Sequence, residues 1–213
     1  MKLKPKSKLL MIGDSVTDCD RAKPVGEGLF DALGKGYVSF VDAELQARHP
    51  EAAIRVVNMG TSGHTVRDLK ARWQTDVLDQ KPQWLSIMIG INDVWRQFDT
   101  PWQTEWAVGL EEYRDTLDAL VAQTKPTLEG LVLMTPYFIE ANVADTMRAR
   151  MDEYGQVVRQ LAAKHGALFV DTQAEFDRLL AHMHSAAIAW DRVHPNRIGH
   201  TLLAQAFLDA IEA

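Results

Sequence analysis

Leu9-Leu10-Met11-Ile12-Gly13-Asp14-Ser15-Val16-Thr17-Asp18 is the stretch from which the fold can be read. A short apolar run, too short for a helix, meets a glycine and then Asp, Ser and Thr, the residue types that open helices. That is the pattern of a buried strand turning sharply into a helix. Ile54–Val57, Trp84–Ile89, Leu131–Met134 and Ala167–Val170 are runs of the same kind. Between them, apolar residues recur at three and four, the helical period. Tyr37, Val41 and Leu45 form one such stripe, and Val66, Leu69, Trp73 and Val77 another. Trp106, Leu110, Tyr113, Leu117 and Leu120 form a third, and Met147, Met151, Tyr154, Val158 and Leu161 a fourth. Ile198, Leu202, Ala206 and Phe207 form the last. Strands alternating with helices imply a parallel sheet covered on both faces, and right-handed crossovers leave few arrangements. The expected architecture is a three-layer α/β/α sandwich around five parallel strands, with residues 1–213 as a single domain.

Composition narrows the function. Hydrophobic residues make up 46% and charged residues 24% of the 213, values ordinary for a globular chain that buries its own core. The 23 basic residues are outnumbered by 29 acidic ones and form no block, which argues against nucleic acid or an anionic membrane as partner. Cys19 is the single cysteine, so no internal disulfide forms, and a reducing compartment suits the chain. No run approaches the roughly 20 apolar residues of a membrane span, and Leu9–Ile12 is too short for a signal-peptide core. The expectation is a cytoplasmic protein.

Open parallel sheets place their chemistry at the carboxyl ends of the strands. Ser15 sits at such an end, where its hydroxyl can project beside the next helix's N–H groups; taken alone, the same residues read more readily as a helix N-cap. Serine needs a base to become a nucleophile, and histidine suits that task near neutral pH. Asp191-Arg192-Val193-His194-Pro195 offers one just before the last helix, with a carboxylate spaced to hold the imidazole. Asn58-Met59-Gly60-Thr61-Ser62-Gly63-His64-Thr65 follows the second strand, where the Gly63 N–H can approach substrate unobstructed. Gly90-Ile91-Asn92-Asp93 adds a side-chain amide after the third. Together these supply a nucleophile, a base, its orienting acid and donors for an oxyanion.

These four blocks, in this order and spacing, resemble those of the SGNH (GDSL-type) hydrolases along nearly the whole chain. Gly36-Tyr37, Val66–Trp73, Ile87–Gln97, Met134–Tyr137 and Ala189–Pro195 are most similar to the acetylxylan-esterase branch of that family. The resemblance implies a flavodoxin-like sheet with Ser15 as nucleophile, His194 as general base and acid, and Asp191 as its orienting carboxylate. The Ser15 N–H, the Gly63 N–H and the Asn92 amide would form the oxyanion hole. It also implies an acetylated sugar as substrate and no cofactor or metal. Trp95 and Trp190, near Asn92 and Asp191 in sequence, offer indole faces to a sugar ring, while Arg96 and Gln97 offer hydroxyl partners.

The same chain offers the beginnings of other readings. Asp18-Cys19-Asp20 mimics the start of a haloacid-dehalogenase phosphatase but lacks the small residue that follows and begins too far past the strand. No phosphate cradle follows the first strand, and the Gly-x-Ser-x-Gly elbow is absent. His182 and His184, two apart on an expected helix, would face different ways and make a poor metal pair. A lipid esterase or thioesterase on the same machinery, and a silent carbohydrate-binding protein, stay open at this level. Trp95, Phe98, Trp102 and Trp190 crowd loop segments, which makes a homo-oligomer an expectation too.

Overall fold

The computed structural model describes residues 1–212. β1 (Lys8–Gly13), β2 (Arg55–Asn58), β3 (Trp84–Met88), β4 (Gly130–Met134) and β5 (Leu168–Val170) pair in parallel in the order β2-β1-β3-β4-β5. All five expected strands form. Leu9, Leu10, Met11 and Ile12 are wholly buried, as are most residues of β3 and β4, which explains why these runs are apolar on both faces. Each such side chain contributes roughly 1.5–3 kcal/mol by leaving water.

The helices are α1 (Ser15–Asp18), α2 (Tyr37–Arg48), α3 (Val66–Ala71), α4 (Ile91–Asp99), α5 (Leu110–Thr124), α6 (Thr146–His165), α7 (Thr172–Leu180) and α8 (Arg197–Ile211). α2 packs on α8, while α5 packs on both α3 and α6, giving a helical layer on each face of the sheet. The stripes read from sequence face the core almost throughout. Two ends differ. Trp106 lies in a short 3-10 turn before α5 and is 49% exposed, because the chain bends at Ala107 and breaks the helical period. Ile198 is 44% exposed, in the first turn of α8. His182 and His184 are not helical, because α7 ends at Leu180 and both occupy the turn beyond it.

The strand order decides where chemistry can sit. The connection from β1 leads to β2 on one side, and that from β3 leads to β4 on the other. A crevice therefore opens between the carboxyl ends of β1 and β3. The register pairs Gly13 with Met88, so Ser15 and the Gly90–Asn92 turn leave the sheet side by side.

Candidate active site

Ser15 is the first residue of α1, so its N–H is among those that a helix's first turn leaves without an internal acceptor. Asp14 caps this turn by accepting the Val16 N–H at 3.0 Å. The helix-cap reading therefore holds for Asp14, and Ser15 is left to project.

Its hydroxyl meets His194: Oγ and Nε2 are 2.7 Å apart across 179 residues of chain. On the far side of the ring, His194 Nδ1 lies 2.6 Å from Asp191 Oδ2. Asp191 Oδ1 accepts the backbone N–H groups of Val193 at 2.9 Å and His194 at 2.8 Å. Partial burial pushes the Asp191 carboxyl up, but the His194 ring and these two N–H groups outweigh it and hold the pKa below the usual carboxylate value. An ionised carboxylate only accepts, so Nδ1 carries the proton and the Nε2 lone pair faces the serine hydroxyl. The loop is pinned from outside by the Tyr137 hydroxyl on the Val193 carbonyl at 3.1 Å and the Ile139 N–H on the Arg192 carbonyl at 2.9 Å.

The turn after β2 is built around close backbone approach. A Cβ on Gly60 would fall 2.2 Å from the Asp18 nitrogen, so only glycine lets this turn lie against α1. Asn58 donates to the Thr17 carbonyl at 2.6 Å and accepts the Gly60 N–H at 2.8 Å. Asp18 accepts the Ser62 N–H at 3.0 Å. Arg72 donates to the Met59 and Gly13 carbonyls, at 2.6 and 2.9 Å, joining the ends of β2 and β1. Gly63 then takes a left-handed conformation, φ +79, with open space where a side chain would be.

Asn92 lies in the first turn of α4 and is almost fully buried. Its Nδ2 donates to the His64 carbonyl at 3.0 Å, one residue past Gly63. Asp93 turns the other way and accepts the Val66 N–H at the start of α3, at 3.0 Å. The nucleophile turn, the glycine turn and the α4 turn thus form one hydrogen-bonded unit. A nucleophilic hydroxyl, an oriented base and donors from three loops can carry acyl transfer.

Two carboxyl groups beneath this unit are fully buried. Burial raises the Asp14 pKa to about 6, against the Val16 N–H and the His194 and Arg72 charges. Burial raises that of Asp93 to about 7, aided by the negative charge of Asp14. Each leaves its Oδ2 without a hydrogen-bond partner. His200 is buried too, and burial with the nearby His194 lowers its pKa to about 4. Its Nδ1 accepts the Tyr37 N–H at 3.2 Å, and its Nε2 faces the half-buried Cys19 Sγ at 3.6 Å.

The expected rim residues behave differently from one another. The Trp95 ring packs against His194, with centroids 5.8 Å apart and planes tilted by 56°. Trp190 is 91% exposed and borders a groove of about 590 Å³ with Arg192, Glu140 and His182. A second hollow, about 310 Å³, lies between Gly63, Arg96 and Trp106. Gln97 turns inward instead, its amide donating to the Asp93 and Val108 carbonyls and the Tyr154 hydroxyl, so a substrate hydroxyl is not its partner. The bracing roles of Arg72, Asp18 and Tyr137 escaped the sequence reading, since each acts on backbone groups far away in the chain and leaves no local pattern.

The model of the GDSL-like lipase/acylhydrolase family matches residues 11–202. The acetylxylan esterase of Geobacillus stearothermophilus is 59% identical over 211 residues, which are 99% of this chain and 96% of that one. A crystal structure of that enzyme has a TM-score of 0.99 at 59% identity, covering 100% of this chain and 97% of the other. Two more of its structures are described as catalytic mutants. S15A has a TM-score of 0.98 at 59% identity and covers 99% of this chain and 96% of that one. H194A has a TM-score of 0.99 at 58% identity and covers 100% and 97%.

Proposed function

This chain belongs to the GDSL-like lipase/acylhydrolase family, and on that premise we propose that it is a serine esterase removing acetyl groups from acetylated xylo-oligosaccharides. The observation that carries the mechanism is the 2.7 Å contact of Ser15 with a His194 already held by Asp191. His194 Nε2 takes the Ser15 proton as Oγ attacks the acetyl carbonyl, and the Ser15 N–H, Gly63 N–H and Asn92 amide receive the oxyanion. His194 returns the proton to the departing sugar oxygen. Water, deprotonated by the same nitrogen, then releases acetate from Ser15. The substrate follows from the Geobacillus relative, whose catalytic mutants S15A and H194A carry the numbers of Ser15 and His194 here.

Trp95 beside His194 and the exposed Trp190 next to Asp191 in the chain supply flat faces for sugar rings, with Arg96 lying over the Trp95 ring. Turnover of p-nitrophenyl esters should fall steeply from acetate to butyrate and beyond, and acetate should be released from acetylated xylo-oligosaccharides. Efficiency rising toward octanoate, with no acetate from the sugars, would instead assign the same triad to lipid or aryl esters. Phe98, Trp102 and Trp190 are exposed, Trp102 at 75%, which supports a homo-oligomer. Light scattering showing only monomer at dilute concentration would remove the assembly.

A further inference from the structure

Asn92 can serve an oxyanion only if its amide nitrogen, and not its oxygen, is turned toward it. An asparagine amide has two orientations of nearly equal shape, so something must select one. The His64 carbonyl, 3.0 Å from Nδ2, requires a donor on its side. The other side is set by Arg96, whose Nη2 donates to Asn92 Oδ1 at 3.2 Å. Flipped, the amide would set oxygen against the His64 carbonyl and NH₂ against a guanidinium, both repulsive.

Arg96 is itself held in place. It lies one helical turn after Asn92 on α4, so the two side chains share a face. Its Nη1 pairs with Asp99, and its guanidinium lies over the Trp95 ring, 5.1 Å from the centroid. The same indole packs against His194. A planar group with donors in a fixed fork can bond Asn92 and Asp99 together while lying on an aromatic face, which a lysine does poorly. With one Nδ2 hydrogen committed to His64, the second remains for substrate.

We infer that Arg96 is a positioning residue for the oxyanion hole, locking the Asn92 amide in its donor orientation and polarising it toward the developing negative charge. The inference rests on the esterase reading of this site and adds to it a residue that acts through Asn92. Its weight falls on the transition state, since the ground-state carbonyl carries little charge, so kcat and not KM should register its loss.

The test is a double-mutant cycle on p-nitrophenyl acetate, which has no sugar for Arg96 to touch. Asn92→Ala should lower kcat by about 10²–10³. Arg96→Gln should lower kcat by about tenfold with KM nearly unchanged, the size expected for weakening one charge-assisted hydrogen bond. In the Asn92→Ala background, Arg96→Gln should then cost almost nothing further. Arg96→Lys, which keeps the charge and one donor, should recover part of the loss; it also serves if Arg96→Gln folds poorly by thermal melting. Independent, multiplying losses would overturn the inference. So would a kcat intact on p-nitrophenyl acetate with KM raised only on acetylated sugars, which would make Arg96 a sugar contact. An unchanged kcat in Asn92→Ala would remove the oxyanion assignment itself, and this inference with it.

Discussion

Asp191 grips His194 at two points, its Oδ2 on the ring nitrogen at 2.6 Å and its Oδ1 on the residue's own backbone N–H at 2.8 Å. Ring and main chain of the base are therefore fixed by one carboxylate, only three residues away. The first contact sets the tautomer and the second sets the turn. An amide in place of the acid could keep the backbone contact through its oxygen. Its NH₂ would then face Nδ1, forcing the ring proton onto Nε2, toward Ser15.

Asp191→Asn should therefore fold normally and lose activity by tautomer alone. Turnover of p-nitrophenyl acetate should fall by roughly 10³–10⁴ while KM changes little. Near-wild-type turnover in a correctly folded Asp191→Asn protein would show that the carboxylate does not orient the base.

Ser15→Ala should abolish acyl-enzyme formation and cost several orders of magnitude in kcat, with the melting temperature nearly unchanged. Only a half-buried hydroxyl is removed, and Asp14 still caps α1. An organophosphate should label wild type in step with activity loss and leave the variant unlabelled, as read by intact mass. EDTA should leave turnover unaffected.

Asp14 and Asp93 make stability depend on pH. Their folded pKa values, about 6 and about 7, lie above the ordinary value of 3.8. The folded state thus holds protons that the unfolded chain has released, and their stabilising contribution is complete below pH 4. It is lost as pH rises through 6 and 7. Asp93→Asn mimics the protonated acid and can still accept the Val66 N–H. Its melting temperature should fall less than that of wild type between pH 5 and pH 8. Parallel melting profiles would show that Asp93 is ionised throughout.

A substitution at Trp190 tests sugar recognition apart from chemistry. Trp190→Ala should raise KM for acetylated xylo-oligosaccharides about two- to tenfold, the range of an aromatic stacking contact of roughly 0.5–1.5 kcal/mol. The change for p-nitrophenyl acetate should be smaller. Equal effects on both substrates would place the indole outside the sugar site.

The order of elements, the parallel sheet and the residues at its carboxyl edge were legible in the chain by itself. Strand runs and helical stripes are local, written by the need of each segment to bury one face or both. Ser15 and the Asp191–His194 pair were legible for a related reason. Ser15 stands where a strand ends and the pair just before the last helix, and chemistry restricts which residues can do that work. The spacing of three from Asp191 to His194 even encodes their contact, because a turn of that length closes on itself.

What crosses between loops was decided only by tertiary structure. Arg72 joins two carbonyls from separate strand ends, and Asp18 reaches Ser62 from 44 residues away. Arg96 and Gln97 are neighbours on one helix, yet Arg96 reaches Asn92 and Gln97 turns inward to Tyr154. Trp106 continues a helical stripe in the sequence and stands outside it in the fold. The burial of Asp14 and Asp93, and hence their proton affinity, likewise depends on layers assembled from distant segments. Hydrogen bonds and desolvation are set by distance in space, and once the chain has folded, separation along the sequence no longer measures it.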